Sequence, residues 1–246
     1  MAKRRGGKVE LTIEEIVATL RRSQLPTVVI EGKDDAIIFR RLEASCQDIQ
    51  LSAFPVGGRT RALALFDNRQ AFGLPRTVSF AVDKDMWVID GVPTEYEAAE
   101  IVLTDGYSIE NDVYRDGDLE VLLLPGEQSV FKRELEEFLY WYAGALSNRD
   151  HEALRTHPNE VLERRGAGSP GVEEHVQTLL DYLRTNYSSS VRGKSLVGLL
   201  MRQVSRPGRG AQHSKASLLE QVAARPGPYI TRLFSAVKSF HSPSAA

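Results

Sequence analysis

The segments Val28-Val29-Ile30-Glu31-Gly32-Lys33-Asp34-Asp35 and Val78-Ser79-Phe80-Ala81-Val82-Asp83-Lys84-Asp85 decide the predicted fold. Each begins with an apolar run typical of a buried parallel strand, and each run ends in carboxylates. Ligands of open α/β sheets bind outside the carboxyl ends of the strands, so two such ends on neighbouring strands would gather acids in one crevice. Clustered carboxylates need a cation, and their oxygens suit Mg²⁺ or Mn²⁺. The pattern therefore predicts metal-assisted phosphoryl transfer.

The composition is that of an ordinary globular protein. With 246 residues, 42% of them hydrophobic, one compact domain and a helical extension account for the length. Cys46 is the only cysteine, which excludes intramolecular disulfides and cysteine-based zinc sites. Since no long apolar stretch or signal-like segment is present, we expect a soluble cytoplasmic protein without a membrane span.

Charge is distributed unevenly along the chain. Residues 83–120 contain twelve acids and two bases, whereas residues 191–246 contain nine bases and one acid, Glu220. The basic end could hold a polyanion against metals bound in the acidic segment. A solvated basic helix face explains the same run equally well.

The order of apolar runs predicts an α/β domain followed by helices. Residues 1–8 form a basic arm, and a helix begins after Thr12, with Glu15 at capping-box spacing. Strands are expected at about residues 27–30, 49–54, 77–82 and 99–103, in a right-handed parallel sheet flanked by helices. Beyond residue 119 only helices are expected, at about residues 130–146, 172–187 and 229–240, with breaks at 166–171 and 206–210. The predicted domains are residues 1–26, 27–118 and 119–246.

A strand ending in Glu31-Gly32, followed by one ending in Asp83-Lys84-Asp85, resembles the toprim domain of topoisomerases, primases and OLD-type nucleases. The resemblance covers about residues 27–115. It implies a Rossmann-like, four-stranded, mostly parallel sheet that uses the Glu and the Asp pair with Mg²⁺. A primase zinc module and a topoisomerase cleavage domain have no room in this chain, so a nuclease remains.

Two further segments are similar to signatures of one toprim-related family. They are Thr104-Asp105-Gly106-Tyr107-Ser108-Ile109-Glu110-Asn111 and Val191-Arg192-Gly193-Lys194-Ser195-Leu196. The family is AriB, the effector nuclease of the prokaryotic PARIS anti-phage abortive-infection system. The resemblance implies a nuclease toxin that is released from an AriA-like ABC-type ATPase when a phage trigger is sensed, and that then cleaves host tRNA. It also implies a homodimer, although the aromatic residues of the helix at 130–146 are explained equally well by the core.

Each candidate site residue has a role and an ordinary alternative. Glu31 is expected to bind metal or to act as general base, or else is a polar strand-end or helix-start acid. Asp83 and Asp85, two apart on an extended strand, are expected to face the same way as metal ligands, or else belong to a polar turn after the strand. The spacing of Asp35 from Glu31 resembles that of metal ligands in OLD-type nucleases, with Asp34 as helix cap. Asp90 and Glu110 are further candidate metal ligands, or else a turn acid and a helix-start acid.

Basic residues complete the predicted site. Lys194 is expected to neutralise charge on the scissile phosphate. A P-loop is excluded there, because Ser188 stands where that motif needs a glycine and no strand precedes it. The turn Gly57-Gly58-Arg59 offers amides and a guanidinium to a phosphate, or is simply flexible. The predicted nucleic-acid-binding residues are Arg59, Arg192, Arg206 and Arg209.

Two rival functions stay open at the level of sequence. One is an OLD-type toprim nuclease that cuts DNA. The other is a regulatory subunit of an ABC-type ATPase complex, in which the acids only shape the fold. Comparing the cleavage of tRNA with that of supercoiled DNA distinguishes the DNA nuclease from the tRNA nuclease. Mg²⁺ binding distinguishes a nuclease from the regulatory subunit.

Overall fold

Four parallel strands form one sheet in the order β2-β1-β3-β4. They are β1 (Thr27–Ile30), β2 (Ser52–Pro55), β3 (Val78–Val82) and β4 (Ile101–Leu103). In β1, which pairs with both β2 and β3, Ile30 lies opposite Pro55 on one side and Ala81 on the other. Every residue of β1 and β3 is buried, as expected for the inner strands of a parallel sheet. The predicted α/β class and the parallel four-stranded sheet are confirmed.

The computed structural model describes residues 11–163 and 174–242, so the predicted basic arm at 1–8 and the predicted linker at 166–171 lie outside it. The described residues form two compact units. The first consists of residues 11–82, 98–102 and 234–242, and the second of residues 83–97, 103–163 and 174–233. Each unit is thus assembled from separate stretches of the chain.

Helices flank the sheet and dominate the C-terminal region, as predicted. They are α1 (Ile13–Arg22), α2 (Asp35–Ser45), α3 (Arg59–Asp67), α4 (Trp87–Asp90), α5 (Ile109–Asp116), α6 (Pro125–Ser147), α7 (Pro158–Glu163), α8 (Glu174–Ser190), α9 (Gly193–Val204), α10 (Lys215–Ala224) and α11 (Pro228–His241). Among residues 11–163 and 174–242, no helix combines the length and the apolar character that crossing a membrane requires.

Local signals explain where several elements begin. At α1, Thr12 Oγ1 accepts a hydrogen bond from Glu15 N at 3.2 Å, and Thr12 N donates to Glu15 Oε2 at 2.7 Å, which is the predicted capping box. Strand β2 starts three residues later than predicted, because Gln50 adopts a positive φ of 52° in a turn before it. The apolar residues Ile49 and Leu51 therefore belong to a turn and its end, with Ile49 half-buried and Leu51 buried, rather than to extended chain.

Aromatic and aliphatic side chains fill the core of the first unit. The buried face of α1 contributes Ile16 and Leu20. Phe66 of α3 meets Phe80 of β3 edge to face, with ring centroids 5.5 Å apart. Fully burying one such side chain stabilises the fold by about 1.5–3 kcal/mol.

The second unit is organised around α6, and three of its aromatic residues face inward. Phe131, Phe138 and Tyr142 are at most 1% exposed. The Phe138 ring centroid lies 5.7 Å from that of Tyr142. The core explanation of these aromatics is confirmed, and the homodimer stays a prediction.

Candidate functional site

Glu31 directly follows β1, and a glycine turn fixes its backbone. The Glu31 carbonyl accepts hydrogen bonds from Gly57 N at 2.9 Å and Gly58 N at 2.7 Å. Both glycines have positive φ, 91° and 131°, which side-chain-bearing residues rarely adopt. The two amides that the sequence offered to a phosphate are therefore used to hold the candidate catalytic residue. Arg59, the remaining member of that predicted phosphate site, is the first residue of α3.

Asp35 lies at the start of α2, in the same unit as Glu31. Its Oδ2 accepts a hydrogen bond from Gly32 N at 2.7 Å, which closes the turn between β1 and α2. Asp34 occupies the N-cap position, as predicted, but its side chain makes no capping hydrogen bond to the helix. The predicted side-chain capping by Asp34 is therefore wrong, while the metal-binding role of Asp35 stays a prediction.

Asp83 and Asp85 belong to the second unit and are tied to the segment that leads into α5. Asp83 Oδ1 accepts a hydrogen bond from Ile109 N at 2.9 Å. The intervening Lys84 donates from its backbone N to Thr104 Oγ1 at 3.0 Å. Asp85 N donates to the Tyr107 carbonyl at 2.7 Å. The three residues that follow β3 are thus each held by a hydrogen bond to residues 104–109.

The expectation that Asp83 and Asp85 continue an extended strand is wrong. β3 ends at Val82, and Asp85 has a positive φ of 53° in a turn that precedes α4. The alternation of side chains along a strand therefore does not apply to this pair. The Tyr107 hydroxyl is hydrogen-bonded to the Asp85 side chain, and burial, assisted by this contact, raises the pKa of Tyr107 far above its ordinary value.

The two family-like segments, 104–111 and 191–196, pack against each other in the second unit. Asn111 Nδ2 donates to the carbonyls of Ser188 and Val191, both at 2.9 Å, and Ser108 N donates to Asn111 Oδ1 at 3.0 Å. Gly193 lies against this turn so closely that a Cβ there would come within 2.6 Å of Asn111 Oδ1. The starts of α5 and α9 are therefore one structural feature, although 80 residues separate Asn111 from Val191 along the chain.

Glu110 is held by a base and a hydroxyl at the start of α5. Its Oε1 lies 2.9 Å from Lys215 Nζ, and its Oε2 accepts a hydrogen bond from Ser108 Oγ at 2.7 Å. Only 2% of the residue is exposed. Burial opposes ionisation, but Lys215, Ser108 and Lys194 outweigh it and lower the pKa of Glu110. Glu110 is thus a buried carboxylate anion, and binding a metal would require it to exchange these partners.

The other predicted site residues of the second unit occupy varied positions. Asp90 forms an ion pair with Arg149, with Arg149 Nη2 2.9 Å from Asp90 Oδ1. Lys194 is exposed in the first turn of α9, beside Arg192, whose Nη1 donates to the Arg155 carbonyl at 3.3 Å. Arg206 is exposed in the loop after α9. Arg209 is 2.9 Å from Glu127 Oε1 and mostly buried, which indicates a structural contact.

A buried network that the sequence did not predict supports this region. Asp112 is fully buried and accepts hydrogen bonds from Asp105 N at 2.9 Å and Gly106 N at 2.8 Å. Arg115 Nη2 lies 2.7 Å from Asp112 Oδ1, and the guanidinium carbon lies 3.6 Å from the centre of the Tyr229 ring. Burial raises the pKa of Asp112 despite these partners. In the sequence, only the position of Asp112 next to Glu110 and Asn111 pointed to this residue, and nothing pointed to Lys215.

Within residues 11–163 and 174–242, no three or more His, Cys, Asp or Glu side chains are grouped so that they could hold a metal ion. The donor chemistry nevertheless fits magnesium, because the candidate ligands are all carboxylates. The predicted ligand set therefore stays a prediction.

Comparisons with known proteins do not identify a relative. No protein-family model matches the chain, and no curated protein matches it in sequence.

Proposed function

We propose that the protein is a Mg²⁺-dependent toprim nuclease, with Glu31, Asp35, Asp83 and Asp85 as its metal-binding carboxylates. One observation carries the proposal. β1 and β3 are neighbouring parallel strands, and an acid directly follows each of them: Glu31 follows Ile30, and Asp83 follows Val82. In open parallel sheets this edge is where ligands bind.

The chain's own residues have distinct parts in this proposal. Glu31 takes the proton of the attacking water or binds metal, and its backbone is held by the Gly57 and Gly58 amides. The Asp83 carboxylate is oriented by Ile109 N, and Asp85 by the Tyr107 hydroxyl. Lys194 supplies positive charge for the phosphate. Mg²⁺, when bound, would polarise the phosphate and lower the pKa of water.

The preferred substrate and setting follow from the resemblance of two segments that the structure also packs together. Residues 104–111 and 191–196 carry the likeness to the AriB family, and Asn111 and Gly193 join them. We therefore propose tRNA as substrate and a toxic effector that an ABC-type ATPase restrains until a phage trigger is sensed. Asp90 and Glu110 are left outside the proposed ligand set, since each carboxylate is paired with a base.

The test compares Glu31→Gln with Glu14→Gln, a matched change on the exposed side of α1. Purified protein is incubated with tRNA or supercoiled DNA, with Mg²⁺ or with EDTA, and the ends of the products are sequenced. We expect tRNA cleavage that needs Mg²⁺, is lost in Glu31→Gln and persists in Glu14→Gln. Both variants should melt cooperatively within a few degrees of the wild type.

Three other results would redirect the proposal. Cleavage retained in Glu31→Gln would remove that residue from the reaction. Nicking of DNA without cleavage of tRNA would indicate an OLD-type nuclease. No cleavage and no Mg²⁺ binding by calorimetry, together with a stably co-purifying ATPase, would indicate a regulatory subunit.

A further inference from the structure

A groove of about 400 Å³ in the second unit lies beside the paired starts of α5 and α9. We call it the basic groove, and it is lined by His157, Asn159, Lys194, Val197, Gly198, Met201, Arg202 and Lys215. Its size falls within the range of small-ligand pockets. The lining joins three bases to an apolar strip, so the groove suits a ligand with one anionic and one less polar part.

Acids offset the bases of the basic groove to different degrees. Lys215 is paired with the buried Glu110, and Arg202 with Glu134, whose Oε2 lies 2.9 Å from Arg202 Nε. These two acids offset two of the three bases that line the groove. A third acid, Glu163, also acts on Arg202. Lys194 is the exposed base of the three, so its ammonium is the one presented to a bound anion.

The position of Lys194 strengthens this argument. Lys194 is the second residue of the 12-residue helix α9, at the positive end of the helix dipole. A cation is disfavoured there, and the ammonium of Lys215 lines the same groove. Gly193 packs closely on Asn111, which sets the start of α9 directly beside the start of α5. A bound anion would offset the repulsion of Lys194 by the helix dipole and by Lys215. It could also accept hydrogen bonds from N–H groups of the first turn.

The remaining lining offers a place for a planar group. Val197 and Met201 are four residues apart on one face of α9. His157 Nδ1 accepts a hydrogen bond from Asn159 N at 3.2 Å, which places the proton of a neutral ring on Nε2. An imidazole, an amide and a thioether together suit a nucleobase better than a metal ion or an aliphatic acid.

We propose that the basic groove binds one nucleotide of a single-stranded nucleic acid, with a phosphate at Lys194 and Lys215 and the base against Met201 and His157. The inference rests on the proposed function, because it assigns how that nuclease holds its substrate. Binding is measured without cleavage, so this inference and the proposed function can be rejected separately.

The experiment measures fluorescence anisotropy of a short labelled single-stranded RNA, and of DNA of the same sequence, in EDTA. Lys194→Met is the decisive variant, since Lys194 is exposed and its loss should not unfold the protein. The matched control is Lys132→Met, on the exposed face of α6 in the same unit. We expect Lys194→Met to weaken binding about 10-fold. We also expect its logarithmic salt dependence to fall by about 0.7, the value for one lost contact to a single strand.

The outcomes separate the alternatives. Equal weakening by Lys194→Met and Lys132→Met, or none by either, overturns the assignment of the groove. Calorimetric binding of a nucleoside monophosphate or inorganic phosphate, with no binding of either oligonucleotide, overturns the nucleic-acid ligand in favour of a free phosphate compound. If the protein binds the oligonucleotide through Lys194 but cleaves nothing, this inference stands and the proposed function is rejected. If cleavage is lost in Glu31→Gln but binding does not depend on Lys194, the proposed function stands and this inference is rejected.

Discussion

Lys215 Nζ lies 2.9 Å from Glu110 Oε1, so the start of α10 neutralises a buried carboxylate at the start of α5. The lysine side chain is 30% exposed and the glutamate side chain 2%. A charge buried to this extent depends on its partner, because an unpaired ion in the interior is strongly destabilising. The pair therefore links the stability of the second unit to the electrostatics of the basic groove.

Lys215→Met should destabilise the protein by about 3 kcal/mol at neutral pH, because it leaves Glu110 buried without its cation. In the wild type the pKa of Glu110 is lowered, so its contribution to stability is present above pH 4.5 and is lost as the pH falls. Without Lys215, burial should raise that pKa, and stability should instead fall as the pH rises. Urea denaturation between pH 4 and 8 measures both slopes.

The double variant Lys215→Met with Glu110→Gln is the control for this prediction. It removes the Glu110 charge that is left buried without a cation, and it should recover part of the lost stability. A single variant as stable as the wild type, or a double variant less stable than the single, would contradict the role assigned to the pair.

Gly193→Ala should destabilise the protein by about 1–3 kcal/mol, the usual cost of overpacking. The added Cβ would come within 2.6 Å of Asn111 Oδ1 and 2.9 Å of Glu110 Cβ. Gly144→Ala is the matched control, since Gly144 lies within α6 and a Cβ added there would meet no other described side chain within 4 Å. That change should stabilise the protein by about 1 kcal/mol through helix propensity. Thermal denaturation measures the stability change in both variants, and equal effects would refute the close contact.

The sequence predicted the sheet well because its signals are local. The apolar runs at residues 27–30 and 78–82 and the Thr12 capping box each lie within a few residues of the element they specify. The same locality explains the error at Asp85. A strand pattern followed by Asp-Lys-Asp reads as continuing strand, whereas the hydrogen bond from Asp85 N to the Tyr107 carbonyl turns the chain.

The surroundings of the candidate residues could not be predicted in the same way. Lys215 is 105 residues from Glu110, and Arg149 is 59 from Asp90, so no window of sequence contains either pair. The use of the Gly57 and Gly58 amides by Glu31 was also hidden, because a glycine turn looks the same whether it binds a phosphate or a carbonyl. Long-range partners decide which carboxylates are available for chemistry, and only the folded chain gives them.

His241 should make the protein lose stability as the pH falls below neutrality. Burial lowers its pKa from 6.5 to about 4, and its Nε2 lies 2.8 Å from Ser79 Oγ of β3. Between these two values the unfolded chain binds the proton first, so the free energy of unfolding falls as the pH falls from 6.5 to 4 and is unaffected above it. The loss should be about 1 kcal/mol after allowance for partial exposure.

His241→Gln should abolish that part of the pH dependence, while His151→Gln, an exposed control, should leave it unchanged. Urea denaturation of the three proteins in the same buffers measures the difference. A wild type and a His241→Gln variant with parallel stability profiles between pH 4 and 6.5 would contradict the assignment.

Tyr107→Phe should weaken the response to Mg²⁺ more than it weakens the fold. The Tyr107 hydroxyl is hydrogen-bonded to the Asp85 side chain, and its raised pKa keeps it protonated as a donor. Loss of one such hydrogen bond costs about 1 kcal/mol of stability. If Asp85 binds the metal, the freed carboxylate would lose its orientation, and the Mg²⁺ concentration for half-maximal cleavage should rise about 10-fold, as for other residues that orient metal ligands. Tyr140→Phe, a partly exposed tyrosine of α6, is the control. A lower maximal rate with an unchanged Mg²⁺ requirement would instead indicate that Asp85 acts without metal, as a carboxylate that the tyrosine merely holds in place.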